Sequence, residues 1–304
     1  MEIAVILTCF NRCEKTITSL THLFEANDIY NNANTGSEIT LTIYLTDDGC
    51  TDGTANAVRN LCNGRCELHI IEGTGNCFWA GGMRLAWSEA LKQRKRWDFY
   101  LLLNDDTIVM TNVFDELLNA HSYSLNTFQK AGIYSGITCA PGNSGQITYS
   151  GDVYKTLMRG ISRRVAPVGK PQLVDITNAN ILLIDKSVVD SLGIFPDCYI
   201  HGCADNDYCM MVRRNDLPAL VTANVCGECE NDHETNEQEC KKLIGMTFME
   251  RYNYINNPLH SDKDYLAFVK RNIPRKYFIS LMMRRIRLFF PALYYFINKK
   301  RGLF

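Results

Sequence analysis

Leu101-Leu102-Leu103-Asn104-Asp105-Asp106-Thr107 decides the architecture of this chain, because an apolar strand here empties straight into two carboxylates. Hard oxygen donors at the carboxyl edge of a sheet stand where open α/β folds bind ligands. Carboxylates suit Mg²⁺ or Mn²⁺, ions that keep several waters and bridge protein to substrate phosphates. A phosphate-bearing substrate is therefore the first expectation. The competing reading is an Asn-Asp-Asp turn that merely caps the helix starting near Thr111.

The surrounding pattern supports a sheet edge. Strand-like runs at Ile3 to Thr8, Leu41 to Thr46, Glu67 to Glu72 and Asp98 to Leu103 alternate with helical patterns near Cys13 to Ala26, Asp52 to Cys62, Trp79 to Arg94 and Thr111 to Ser124. Continuous Val/Ile/Leu runs in such an alternation predict a mostly parallel sheet buried on both faces, with flanking helices. Tyr30 to Ser37, rich in Asn, reads as a loop. Beyond residue 130 the rhythm breaks into shorter strands, with a further buried strand at Val174 to Ile184 and a helix at Asp205 to Arg214. A polar, Cys-rich stretch runs from Cys226 to Cys240, and from Lys241 the pattern is helical, broken by Pro258, Pro274 and Pro291. The pattern predicts an α/β body over 1–240, changing character between its halves 1–107 and 108–240, then a helical, basic-aromatic region over 241–304.

Composition narrows the class. A chain of 304 residues, 46% hydrophobic and 21% charged, can bury a substantial core. Of its 32 Lys and Arg, ten lie beyond Asp264, after which no Asp or Glu follows. The first 264 residues thus hold 22 against all 33 acidic residues, a formal −11, and the tail carries +10. An acidic main body argues against nucleic acid as a partner. The tail's cations are interleaved with Tyr277, Phe278, Leu281, Met282, Ile286, Leu288, Phe289 and Phe290, which suits an anionic membrane surface; packing on the domain and dimerisation are the alternatives. Its longest uncharged run, Leu288 to Ile297, is about half the ~20 residues a spanning helix needs. Thirteen scattered cysteines, an odd number, read as reduced thiols of a cytoplasmic protein, and the start of the chain reads as a first strand with no signal peptide. Cys226, Cys229, His233 and Cys240 have ligand types that suit zinc, but one CxxC pair does not establish a site.

Four segments fall where consecutive strands end. They are Thr8-Cys9-Phe10-Asn11-Arg12, then Thr46-Asp47-Asp48-Gly49-Cys50-Thr51-Asp52-Gly53-Thr54, then Gly73-Thr74-Gly75-Asn76-Cys77-Phe78-Trp79-Ala80-Gly81-Gly82-Met83-Arg84, and finally Asn104-Asp105-Asp106. Gly49 permits a backbone reversal, leaving Asp47 over the sheet edge, where a carboxylate can accept from a base N–H or a ribose hydroxyl. Small residues opening a helix let backbone N–H groups approach an anion, and Arg84 adds a planar donor suited to phosphate. Trp79 fits a packing role, or stacking on sugar or base at a pocket rim.

In this order the four segments resemble the family 2 glycosyltransferases of the GT-A fold. The resemblance covers about residues 1 to 215 and extends to Ala204-Asp205-Asn206-Asp207, where the family commonly shows Glu-Asp-x-Asp opening a helix. It implies a Rossmann-like, mostly parallel mixed sheet followed by a C-terminal helical appendage. It also implies that the body over 1–240 is a catalytic domain, with a nucleotide-binding half (1–107) and an acceptor half (108–240). It gives Thr8, Phe10, Asn11, Arg12, Asp47 and Asp48 to nucleotide recognition, and Asn76, Trp79, Gly81, Gly82 and Arg84 to the vicinity of the diphosphate or sugar. Asp106 would bind the metal, Mn²⁺ or Mg²⁺; Asn104 and Asp105 would touch the donor, with Asp105 a second candidate ligand and His233 a third. Asp205 matches the family's catalytic base, with Asp207 beside it as the alternative. The implied activity is an inverting, metal-dependent hexosyl transfer from a UDP-, dTDP- or GDP-sugar to a glycan or lipid-linked acceptor. The implied setting is bacterial surface polysaccharide assembly, of rhamnosyltransferase-like type, at the inner face of the cell membrane. A sugar-phosphate nucleotidyltransferase would need an early Gly-rich phosphate loop, which Cys9-Phe10-Asn11-Arg12 is not. A non-catalytic binding protein of the same fold is the other rival.

Overall fold

A computed structural model describes residues 1–93, 96–157, 161–231, 234–260 and 262–302. The first half runs β1 (Glu2–Cys9), α1 (Cys13–Ala33), β2 (Thr40–Asp47), α2 (Thr54–Cys62), β3 (Glu67–Glu72), α3 (Phe78–Lys92), β4 (Phe99–Leu103), β5 (Ile108–Val109) and α4 (Val113–Phe128). The second half continues with β6 (Ile133–Ala140), β7 (Asn143–Tyr149), β8 (Asp152–Thr156), β9 (Ile161–Arg164), β10 (Gln172–Leu173), β11 (Ile181–Asp185), α5 (Lys186–Leu192), α6 (Ala204–Arg214) and β12 (Ala219–Glu228). The C-terminal helices are α7 (Asn236–Gly245), α8 (Phe248–Asn256), α9 (Asp262–Asn272), α10 (Tyr277–Phe289) and α11 (Pro291–Lys300).

One sheet organises the chain, in the order β10-β12-β6-β11-β4-β1-β2-β3. β1 pairs in parallel with β2 and β4, and β2 with β3, so three inter-strand loops and the end of β4 leave from one edge. β11 runs antiparallel to β4 and β6, so it begins at that same edge. The period-2 alternation of β1 explains its unbroken apolar run. Ile3, Val5 and Leu7 pack with α1, α2 and α4, while Ala4 and Ile6 join Trp87 of α3, Tyr208 of α6 and Phe268 and Val269 of α9. Trp87 is fully buried and packs against Tyr100, Phe195 and Tyr208, with ring centroids 5.4–5.9 Å apart. The C-terminal helix α9 thus belongs to the same core as the sheet.

Three expectations are corrected. α1 continues to Ala33 through half of the expected Asn-rich loop, because Asn31 uses both ends of its amide on Ile39, accepting from N at 2.7 Å and donating to O at 2.9 Å. That pair ties the helix end to the start of β2. Val174 to Ile184 is not one strand: Val174 to Asn180 form the loop between β10 and β11. The Cys-rich stretch expected to be polar begins inside β12, where Cys226 is buried.

The tail also differs from a string of free cations. Arg287 is buried and paired with Asp262 (2.6 Å) and Glu239, Arg284 lies 3.3 Å from Asp262, and Arg251 of α8 donates to the Leu288 carbonyl at 2.8 Å. Part of the tail's positive charge is therefore spent holding α7 to α10 together. Among the described residues no helix is long and apolar enough to cross a membrane.

Candidate active site

β4 delivers Asn104, Asp105 and Asp106 to the shared edge. Arg12, from the loop after β1, bridges both carboxylates, 2.9 Å to Asp105 Oδ1 and 2.9 Å to Asp106 Oδ2. The two carboxylates differ in surroundings. The Asp105 side chain is 8% exposed while that of Asp106 retains 20%. Burial pushes the Asp105 carboxyl up to about 6, against the pull of Arg12 and with the help of the Asp106 charge. Burial also works against the Arg12 guanidinium, but Asp105 and then Asp106 outweigh it and its pKa rises. The inner carboxylate is thus the strained member of the pair and the outer one the accessible member. Asn104 is fixed beside them, its Oδ1 accepting from Trp79 Nε1 at 2.8 Å.

These groups line a cavity of about 440 Å³ whose other walls come from the second half of the chain: Tyr149, Asn178, Asn180, Asp205, Asn206 and Glu230. A neighbouring compartment of about 300 Å³ is bounded by Thr8, Cys9, Phe10, Gly75, Phe78 and, from the C-terminal region, Leu259. Arg12, Trp79, Asp105 and His201 line both, so the two form one cleft. The second compartment is mainly apolar and aromatic, the first mainly amide and carboxylate.

Asp205 occupies the first turn of α6, where a helix start favours a carboxylate. Its oxygens accept from the N–H of Asn206 at 2.8 Å and of Ala179 at 3.2 Å. Burial nevertheless outweighs those bonds and pushes its pKa up to about 6. A carboxylate poised there is ionised at neutral pH yet basic enough to take a proton from a reacting hydroxyl. Asp207, two residues on, turns away: fully buried, it accepts from Arg271 Nε at 2.8 Å and Asn272 Nδ2 at 2.6 Å, both on α9. It lines neither compartment, and its geometry is that of a tie between helices.

Several residues expected at the site have other employment. Asp48 lines the second compartment, but its oxygens accept from the N–H groups of Gly75, Cys77 and Phe78 at 2.8–3.1 Å and so brace the loop before α3. Asn11, at φ +51°, accepts from Thr51 N at 2.7 Å and joins two loops. Arg84 donates to the Pro196 carbonyl at 3.0 Å and lies beside Asp197, away from the cavity. Gly82 serves packing, since a Cβ there would stand 2.1 Å from Thr8 Oγ1. Gly81 donates to the Ile200 carbonyl at 3.2 Å, and Asn76 N to Thr74 Oγ1 at 3.3 Å. Small residues at the start of α3 admit a neighbouring strand and loop. Asp47 lines neither compartment; its Oδ1 accepts from Cys50 N at 2.7 Å, and its ligand oxygen lies within 4.8 Å of the Cys9 and Cys50 sulfurs. Cys226 and Cys229 have separate neighbours, Thr222 and Asn180, and no three of the described residues whose types suit zinc there cluster. His233 lies outside the described residues.

Asn178, Asn180, Tyr149 and His201 escaped the sequence reading. A signal for the first two existed, since a strand antiparallel to β4 must start where β4 ends, and Thr177-Asn178-Ala179-Asn180 precedes it.

The family model described as "Glycosyl transferase family 2" matches residues 4–165. Among solved structures, the chain is similar to the mannosyltransferase PcManGT from Pyrobaculum calidifontis, in complex with GDP-Man and Mn²⁺, with a TM-score of 0.52 and 16% identity over 99% of this chain and 84% of that one. It is also similar to residues 1–349 of S. aureus TarS in complex with UDP-GlcNAc, with a TM-score of 0.50 and 12% identity over 90% and 73% of the two chains. No curated protein shows a matching sequence. At these identities the structural likeness speaks for the fold, a GT-A arrangement with a helical C-terminal part.

Proposed function

The chain belongs to glycosyl transferase family 2, and from that premise we propose that it is an inverting glycosyltransferase, moving a sugar from a nucleoside-diphosphate donor to a glycan or lipid-linked hydroxyl. The observation that carries this reading is a single cavity lined by both Asp106 and Asp205. In the reaction, Asp205 accepts the proton of the acceptor hydroxyl while that oxygen attacks the anomeric carbon. The bond from carbon to diphosphate oxygen breaks, and attack from the opposite face inverts the centre. The nucleoside lies in the apolar compartment against Phe10, Phe78 and Leu259, with Arg12 and Trp79 between it and the reacting sugar. Asn178, Asn180 and Asn206 offer amides to sugar hydroxyls. The two similar folds hold GDP-mannose and UDP-GlcNAc, which supports a nucleotide-sugar donor here.

The residues present fit a divalent cation. Asp106 is accessible, Asp105 stands behind it, and both are hard oxygen donors already drawing a positive group, Arg12. Asp106, with Asp105, would hold Mn²⁺ or Mg²⁺, which when bound offsets the charge of the departing diphosphate. With a cation there, Arg12 would give up its Asp106 arm and could meet a phosphate. The test is a panel of UDP-, dTDP- and GDP-sugars with either metal, scored by thermal stabilisation and by the anomeric configuration of the product. One nucleotide class should stabilise the protein, since stabilisation grows with ligand concentration over Kd, and the product should be inverted. Retention would overturn the mechanism, and binding without any turnover would favour a non-catalytic role.

The C-terminal helices fit a peripheral lipid contact in surface polysaccharide assembly. Phe278, Phe290 and Phe296 are 78%, 63% and 61% exposed, beside Arg275, Arg285 and Lys300. Such aromatics among basic residues suit an anionic bilayer interface. Phe278→Glu with Phe290→Glu should abolish cosedimentation with phosphatidylglycerol vesicles while leaving the thermal transition near that of the wild type. Undiminished cosedimentation would remove the membrane from the account.

A further inference from the structure

α9 packs one face against α6 and the loop before it, burying Asp264 and Phe268 and setting the half-exposed Arg271 on Asp207. Asp264, Phe268 and Arg271 recur at i, i+4 and i+7, which places them on one helix face. Arg271 and Asn272 grip Asp207 of α6, as described above. Asp264, two turns earlier and 2% exposed, does something different. Its Oδ2 accepts from the backbone N–H of His201 at 2.7 Å, of Gly202 at 2.9 Å and of Ile200 at 3.2 Å, and its Oδ1 from Ile200 at 3.1 Å. Three consecutive amides therefore converge on one carboxylate supplied from another part of the chain, a charge-assisted arrangement of the stronger kind.

The loop so held is a wall of the site. His201, Gly202 and Cys203 line the cavity together with Asp205 and Asn206. Cys203 enters α6 at φ +64°, a left-handed conformation uncommon for a non-glycine side chain and costly unless its surroundings enforce it. The same loop is held from its other side by the Gly81 N–H on the Ile200 carbonyl. Without the Asp264 carboxylate, three inward-facing N–H groups would lose their acceptor and the turn before Asp205 could relax.

We propose that Asp264 is a positioning residue for transfer: by gathering the amides of Ile200, His201 and Gly202 it fixes the turn that aims Asp205 into the cavity. The inference rests on Asp205 being the base. It also makes the C-terminal region a working part of the catalytic site, which Leu259 on the wall of the donor compartment already indicates.

The test compares the full-length wild type with Asp264→Asn and Asp264→Ala, and with Arg271→Gln as an interface control that leaves the loop amides alone. Asn keeps one acceptor oxygen but sets an NH₂ group against the remaining N–H donors. Both Asp264 variants should lower kcat by roughly 10–100-fold, the scale of a small misplacement of a reacting group, with the Kd of the preferred nucleoside diphosphate in Mn²⁺ little changed. Amide exchange at 200–202 should speed up while that of β1 and β4 stays put. The acid limb of kcat should also move down from about 6 toward an ordinary carboxylate as water reaches Asp205. The thiols nearest Asp205, Cys203 and Cys209, are held well above that range by burial, and Asp105, also pushed to about 6, does not touch the Asp264 loop, so a limb that moves in the Asp264 variants is that of Asp205. Arg271→Gln should lower the melting temperature and leave kcat and the limb in place. Wild-type kcat in Asp264→Asn, or equal losses in Arg271→Gln, would overturn the inference while leaving the transferase reading intact. An inactive wild type across the whole donor panel would instead bring down the reading beneath it.

Discussion

Asp205→Asn is expected to lower kcat by about 10²–10⁴-fold, the usual worth of a positioned general base, while donor binding persists. The amide keeps the size of the side chain and one acceptor for the Asn206 or Ala179 N–H, so the site should remain assembled. What disappears is the group that takes the proton. The pH dependence separates this from simple damage. With its pKa raised to about 6 by burial, Asp205 is protonated below that pH and ionised above it. Wild-type kcat should therefore fall about tenfold per pH unit below about 6 and level off above it. The residual activity of the Asn variant should lack that limb. Asp105 is pushed to about 6 as well, so a limb surviving in Asp205→Asn would reassign it to the β4 carboxylates.

Asp106→Ala should be as damaging in a different way. Removal of the accessible carboxylate takes away the cation's main ligand, and with it several kcal/mol of charge stabilisation, on the order of 10³-fold in transfer. Mn²⁺-dependent donor binding, measured calorimetrically, should be lost together with turnover. Arg12 retains Asp105, so the melting temperature should stay close to that of the wild type. Mn²⁺-dependent binding at wild-type strength in this variant would refute the metal assignment.

Much of this was legible in the residues, for physical reasons. Apolar runs that end in carboxylates announce a sheet edge, and β3 falls on the expected Glu67–Glu72. Asp105 and Asp106 stand out because they end an apolar strand, whereas Asp205, at a helix start, reads as capping until the family resemblance singles it out. The residues alone do not decide where one local pattern serves two purposes. Small residues at the start of α3 look alike whether they admit an anion or a neighbouring side chain, and here Gly82 admits Thr8. Asp47 and Asp48 are adjacent, yet only the fold reveals that Asp48 is consumed by three amides. Asp205 and Asp207 are both acidic and both buried, and only the position of α9 turns one toward the cavity and the other toward Arg271. Asp264 was least visible of all. A single acid near a helix start reads as dipole compensation, and nothing local reveals that its partners lie more than sixty positions upstream.

The most direct measurement is the anomalous scattering of Mn²⁺ in crystals grown with the preferred nucleoside diphosphate. The account predicts a single strong peak at the Asp106 carboxylate, with Arg12 swung off it and the diphosphate reaching the cavity that Asp205 closes. A peak at Cys9, Asp47 and Cys50 instead, or an Asp205 walled off from the diphosphate, would contradict it.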